Sequence, residues 1–219
     1  MNWRTLALGL ALSAAGAVQA LADTTVFVSA FAGPWNNATN PSMVYGVGDN
    51  SSPVVLALGG ATSITISYVD GLVSAFGGAN PSVDALGYVG GAFGSGMGLS
   101  GIGSSGQPFP SFFIDPNNTG PDIWLAALIG TFTNSSGVIV GTPFAPGDGP
   151  FVVAVPTGAS FLSLGVNDDI FSDNSGGWDI NVAGIGAATP EPSTWAMMLL
   201  GLGGLGLARY RASRKAAVA

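Results

Sequence analysis

From residue 23 to residue 189 no apolar run carries a helical stripe. Short β-branched and aromatic segments are broken every few residues by Gly, Pro, Asn or Asp, the residues that end strands and shape turns. With 35 glycines and 14 prolines in 219 residues, long regular helices are disfavoured throughout this region. The alternation predicts strands over residues 24–31, 54–58, 63–68, 123–133, 137–141, 149–155, 160–166 and 178–182, although 124–129 briefly passes for a helix. Strands at this spacing predict an all-β domain, a jelly-roll-like β-sandwich. The stretch 77–121 is rich in Gly and Ser and weakly patterned, and glycine-dense 90–106 is expected to be irregular. No internal repeat of fixed period is present.

Charge is distributed as unevenly as hydropathy. All five basic residues lie near the ends, at Arg4, Arg209, Arg211, Arg214 and Lys215. The span 23–189 holds eleven aspartates and no cation, a charge of −11. Such a segment cannot neutralise phosphates, which excludes nucleic acid as its partner. What an all-acidic, oxygen-rich surface can take is a hard cation, calcium above all. The plainer reading is that the charge keeps a sticky β protein soluble. The chain has no cysteine and no histidine, so disulfides, thiolate nucleophiles, imidazole metal sites and Ser-His-Asp triads are all excluded. At 47% hydrophobic residues it is too apolar for disorder.

The ends read as addresses. Arg4 followed by an apolar, Ala/Leu-rich stretch over 6–18 has the form of a secretory signal peptide. Small residues precede two candidate cuts, after Ala20 and after Ala22. Cleavage after Ala22 is expected, making 1–22 the signal and Asp23 the first mature residue; an uncleaved anchor is the alternative. At the other end, an apolar stretch of about 194–208 runs directly into the basic tail 209–219. It is shorter than the roughly 20 residues of a comfortable membrane span, and the basic cluster is expected to stay cytoplasmic. The order Pro190-Glu191-Pro192-Ser193, short Gly/Leu-rich span, arginine cluster resembles the PEP-CTERM sorting signal, also labelled an ice-binding protein C-terminal domain. The resemblance covers 189–219. It implies a Gram-negative bacterial protein exported through the Sec pathway, held transiently in the inner membrane and cut near Pro-Glu-Pro by an exosortase-type transpeptidase. It also implies a final place at the cell surface or in an exopolysaccharide or biofilm matrix.

The ectodomain, 23–188, has its densest polar cluster at 165–177, between two strands. Asp168, Asp169 and Asp173 fall there with Asn167 and Asn174. Calcium takes six to eight oxygens from carboxylates, amides and carbonyls, and such a loop supplies several. Asn, Asp, Ser and Gly are equally ordinary turn residues, and composition alone leaves both readings open. The EF-hand pattern is absent.

The order Ala126-Ala-Leu-Ile-Gly-Thr-Phe, Val140-Gly, residues 158–162, Leu164-Gly-Val-Asn-Asp and Asp173-Asn-Ser-Gly-Gly-Trp-Asp-Ile-Asn-Val resembles small calcium-dependent galactose-binding bacterial lectins of the PA-IL type, which are jelly-roll sandwiches. The similarity spans 120–185, with a further piece at Ser63-Ile-Thr-Ile-Ser and Gly71. It implies calcium ligands at Asp168, Asp173 and Asn174. It implies backbone carbonyls near Ala75 or Phe76 and at Ile170 or Phe171, and sugar hydroxyls on the ion. The loop is about two residues shorter here, and the family's His and Gln sugar contacts have no counterpart. Phe171 and Trp178 flank the loop as possible stacking rings, with Trp178, Trp35 and Trp124 better read as core or loop anchors.

Three function classes follow. The first is a calcium-dependent carbohydrate-binding module sorted to the surface, with extracellular polysaccharide as partner. The second is a structural matrix or adhesion protein with calcium as a folding staple. The third, an enzyme acting on glycans through paired carboxylates, ranks below both; no catalytic residue is assigned. Ice binding would need a regular Thr array that the sequence lacks.

Overall fold

The computed structural model describes residues 21–75, 82–90, 102–117 and 122–186, together with residue 199. Seven strands form in chain order: β1 Leu21–Ser29, β2 Val54–Ala57, β3 Ser63–Ser74, β4 Leu128–Thr133, β5 Phe151–Ala154, β6 Phe161–Val166 and β7 Ser175–Gly186. A single 3-10 turn, Pro110–Phe113, is the only helical element within the described part of 21–186. The all-β expectation therefore holds for the described ectodomain.

Odd and even strands separate completely. One sheet has the order β1-β7-β3-β5 and the other β2-β6-β4, with every pair antiparallel. The expected eighth strand at 137–141 forms only isolated bridges, Thr133↔Ile139 and, just beyond it, Gly130↔Phe144. It nonetheless lies along the free edge of β4, bonded through Val140 N–H to the Phe132 carbonyl at 2.8 Å and through Phe144 in both directions to Gly130. With that edge segment counted, the order is that of a jelly roll, in which each connection but one crosses between the layers. The segment stays irregular because Gly137 and Gly141 both sit at positive φ, outside strand geometry.

Alternation explains the layers. On β7, Trp178, Ile180 and Val182 point inward; on β6, Leu162, Leu164 and Val166 do so; all six have essentially no exposure. They join Ile64, Ile66, Val73, Leu128 and Phe132 in one core between the sheets. Each such side chain contributes about 2 kcal/mol of burial. Residues 124–127 form neither helix nor strand: Ala126 sits at φ 57°, a left-handed conformation that stops a helix. Its N–H bonds the Asn167 carbonyl at 2.9 Å, and Asn167 N–H returns to Ala127. The strand expected from 123 accordingly starts at Leu128.

The outer face of the β2-β6-β4 sheet is covered by the connection between β1 and β2. Contact is so close at Gly165 that a Cβ there would collide with the Gly33 carbonyl and the Pro34 nitrogen. Replacing Gly165 by Ala is expected to cost 1–3 kcal/mol, in the manner of other overpacked sites, read as a lower urea midpoint with an unchanged slope.

Candidate cation site at the 167–174 loop

The loop joining β6 to β7 is pinned from three directions before any ligand is considered. Asn167 at its start is fully buried; it accepts the Ser111 N–H at 2.9 Å and donates to the Trp124 carbonyl at 2.9 Å. Asp49, more than a hundred residues away in sequence, accepts the N–H groups of Phe171 at 3.1 Å and Ser172 at 2.8 Å. Asp169 accepts the Ser105 N–H at 2.8 Å through its side chain, and its carbonyl accepts the Val47 N–H at 3.1 Å. Residues 102–108 thus pack over Asp169, and Gly103 lies so close that no Cβ would fit beside the carboxylate.

Against this well-bonded frame three oxygens stand out. Asp168 Oδ2, Asp173 Oδ1 and Asn174 Oδ1 are buried and have no hydrogen-bond partner. Asp168 uses its other oxygen, Oδ1, to accept the N–H groups of Asp169 at 2.7 Å and Ile170 at 3.2 Å. Asn174 donates its amide to the Ala30 carbonyl at 2.9 Å, which orients Oδ1 as the free end. A cavity of about 40 Å³ is lined by Asp168, Asp173, Asp169, Ala75 and Ser104, with Leu125 and Phe109 as apolar wall. That space suits one ion or one or two waters.

Unpartnered buried oxygens are costly, of order 1–3 kcal/mol each and more when charged. The electrostatics report the same tension. Burial, helped by the Asp169 charge, pushes the Asp168 carboxyl up to about 7, against the Ile170 and Asp169 N–H groups and the Asn174 side chain, which favour its anion. Burial, together with the neighbouring charges of Asp49 and Asp169, also raises Asp173. Burial opposes the Asp49 anion as well, yet the Phe171 and Ser172 hydrogen bonds win and hold it below the usual range. With no Lys, Arg or His between residues 23 and 189, no side chain there can offset these carboxylates.

The residues the sequence singled out therefore fall as follows. Asp168, Asp173 and Ala75 line one cavity, and Asn174 lies beside Asp168. The Phe171 carbonyl accepts the Asn174 N–H at 3.1 Å. The Phe171 and Trp178 rings have no exposure, which removes both as stacking platforms; Trp178 donates its indole N–H to the Val83 carbonyl at 3.1 Å. Trp35 is likewise buried and bonded to the Met43 carbonyl. Among the described residues no three His, Cys, Asp or Glu side chains converge on a metal position; the orphan set is two carboxylates and an amide. Asp49 and Ser105 were not foreseen, because their partners lie about 122 and 64 positions along the chain and no local spacing announces them. Phe76, residues 1–20 of the expected signal, 91–101 of the glycine-rich stretch, the motif Pro190, Glu191 and Pro192, the basic tail 209–219 and all of the 194–208 span except Leu199 lie outside the described residues. Ala22 is described: it pairs with Ile185, and the β1 register breaks between Ala22 and Thr24. Cleavage after Ala22 would leave every pair from Thr24 onward intact.

Residues 188–215 match the family model of the PEP-CTERM protein-sorting motif. No curated protein matches the chain. The motif marks an exported, surface-sorted protein and links it to processing by an exosortase. Among the described residues no helix is long and apolar enough to cross a membrane.

A pH dependence follows from Asp168. Its folded-state pKa, about 7, lies above the ordinary carboxyl value, so the folded protein holds a proton that the unfolded chain has lost. Stability of the metal-free protein is expected to fall as pH rises from 4 to 7, by up to about 1.4 kcal/mol per unit. Asp49, shifted the other way, acts only at more acid pH. Urea melts across this window should show the loss in the wild type and a smaller one in Asp168→Asn, the remainder coming from Asp173 and Asp148, which burial also raises.

Proposed function

We propose that this is a surface-sorted, non-enzymatic protein whose jelly-roll domain binds calcium at the 167–174 loop and recognises extracellular polysaccharide through that ion. The observation that carries the cation is the set of three orphan oxygens on Asp168, Asp173 and Asn174. All are hard oxygen donors, which suits calcium over the softer transition metals. They supply only part of its coordination shell, and the Ala75 carbonyl, water and ligand hydroxyls fill the remainder. Ligand reaches the ion from the side of Asp173, the half-buried member of the set.

Chain geometry supports display. The loop ends at Asn174, and β7 begins at the next residue and ends at Gly186, two positions before the matched sorting motif. Twelve strand residues span about 40 Å, so the loop and Gly186, where the described chain leaves toward the motif, lie at opposite ends of β7. Leu21 pairs with Gly186, which brings the expected signal-peptide junction to the Gly186 end as well.

Absence of catalysis is proposed on residue chemistry. The ectodomain offers no His, Cys, Lys or Arg, Asp169 is engaged by Ser105, and a cavity of about 40 Å³ keeps a sugar ring out of reach of Asp168, so a saccharide meets the ion only through hydroxyls at the Asp173 rim. That same small volume favours a second reading, in which calcium is a structural staple and no saccharide touches it.

The test is thermal unfolding of the full chain in EDTA, in calcium, and in calcium with neutral mono- and oligosaccharides. Calcium at a hundred times its Kd should add about 2.7 kcal/mol, with a further increment from a bound sugar. Asp168→Asn and Asp173→Asn should abolish the calcium shift, and Asp49→Ala should weaken calcium binding by freeing Phe171 and Ser172. A calcium shift with no sugar increment selects the staple; no calcium shift rejects the site.

A further inference from the structure

On the opposite face of the β2-β6-β4 sheet from the core, the β1–β2 connection is fastened at two places and leaves a gap between them. One fastening is the contact of Gly33 and Pro34 with Gly165. The other is Asn40, whose amide donates to the Gly137 carbonyl at 3.1 Å and accepts the Ile139 N–H at 3.0 Å. Between them lies a groove of about 300 Å³ floored by Phe161, Ser163 and Thr133 and walled by Val55, Asn36 and Thr39. A polar cleft of about 210 Å³ continues it past Asn36 toward Asn50 and Ser52. Neither space shares a lining residue with the cavity at Asp168.

The lining has a consistent chemistry. Strand register sets Ser163 directly across from Thr131, and Phe161 across from Thr133. Ser163 and Thr133 are themselves only 3% and 4% exposed, so the floor offers mainly its apolar atoms. The groove is therefore mainly apolar, through Phe161, Pro53 and the half-exposed Val55, the adjoining cleft is polar, through Asn36, Asn37, Asn50 and Ser52, and no charged residue lines either space, in a domain carrying −11 between residues 23 and 189. Saccharides present apolar C–H faces and hydroxyl edges together, which matches such a surface. The acidic field repels polyanions, and a lining without cations offers them no counter-charge.

We propose that this groove is a second saccharide site, independent of the cation, that takes a segment of a neutral polysaccharide. Its volume is at the lower end of small-ligand sites and, with the adjoining cleft, accommodates a short run of sugar units. The two sites together would let one chain engage matrix polysaccharide at two points, with the avidity that follows.

Affinity electrophoresis of the full chain in EDTA tests this, with dextran, galactomannan and xyloglucan as neutral probes and alginate as the polyanion. Retardation by at least one neutral polymer is expected. Ser52→Trp, at an exposed position lining the polar cleft, fills that cleft and should weaken retardation at least tenfold. Val55→Lys, on an edge strand, should do the same at the apolar groove. Retardation that needs calcium, that survives both groove variants, or that is as strong with alginate would overturn the proposal, as would no retardation by any neutral polymer.

Discussion

Buried carboxylates in proteins ordinarily find a guanidinium, an ammonium or an imidazolium. Between residues 23 and 189 this chain has none to offer. Asp168, 3% exposed, therefore has three routes to neutrality: backbone N–H groups, a proton, or a cation from solution. The first is used on Oδ1. The second is what burial imposes on the metal-free protein, in which the carboxyl titrates at about 7. The third is the route proposed above, in which a cation takes Oδ2 together with the free oxygens of Asp173 and Asn174. The frame that holds these oxygens in place, from Asp49, Ser105, Ser111 and Ala30, is built mostly on backbone N–H donors, and its Asp49 carboxylate adds to the negative charge that Asp173 feels.

The fold was legible to the extent that alternation and punctuation report it. β6 matched within one residue because its apolar positions keep strict period two. β7 ran longer than its expected 178–182 because Gly176, Gly177 and Gly184 read as turn residues; in the structure Gly177 sits under the Phe27 ring and against the Val28 carbonyl, where a Cβ would not fit. Gly71 hid the length of β3 in the same way: it follows a bulge between Tyr68 and Asp70 and presses against the Gly177 carbonyl. Glycines that permit strands to approach are indistinguishable in sequence from glycines that end them.

At the candidate site the local cluster was legible and its supports were not. Asp168, Asp173 and Asn174 are neighbours in sequence, so their density gave them away. Asp49 sits in an ordinary Gly-Asp-Asn turn, and its role exists only because the jelly-roll winding carries the β1–β2 connection past the loop after β6. The same winding separates the loop from Gly186, the last described strand residue before the sorting motif, by the length of β7.

Bound calcium per chain, measured by equilibrium dialysis of the full protein at pH 7.5 where Asp168 is free to ionise, bears most directly on this account. One ion per wild-type chain and none in Asp168→Asn is the predicted result. A wild-type chain that binds no calcium, or an Asp168→Asn variant that binds it equally well, would contradict it.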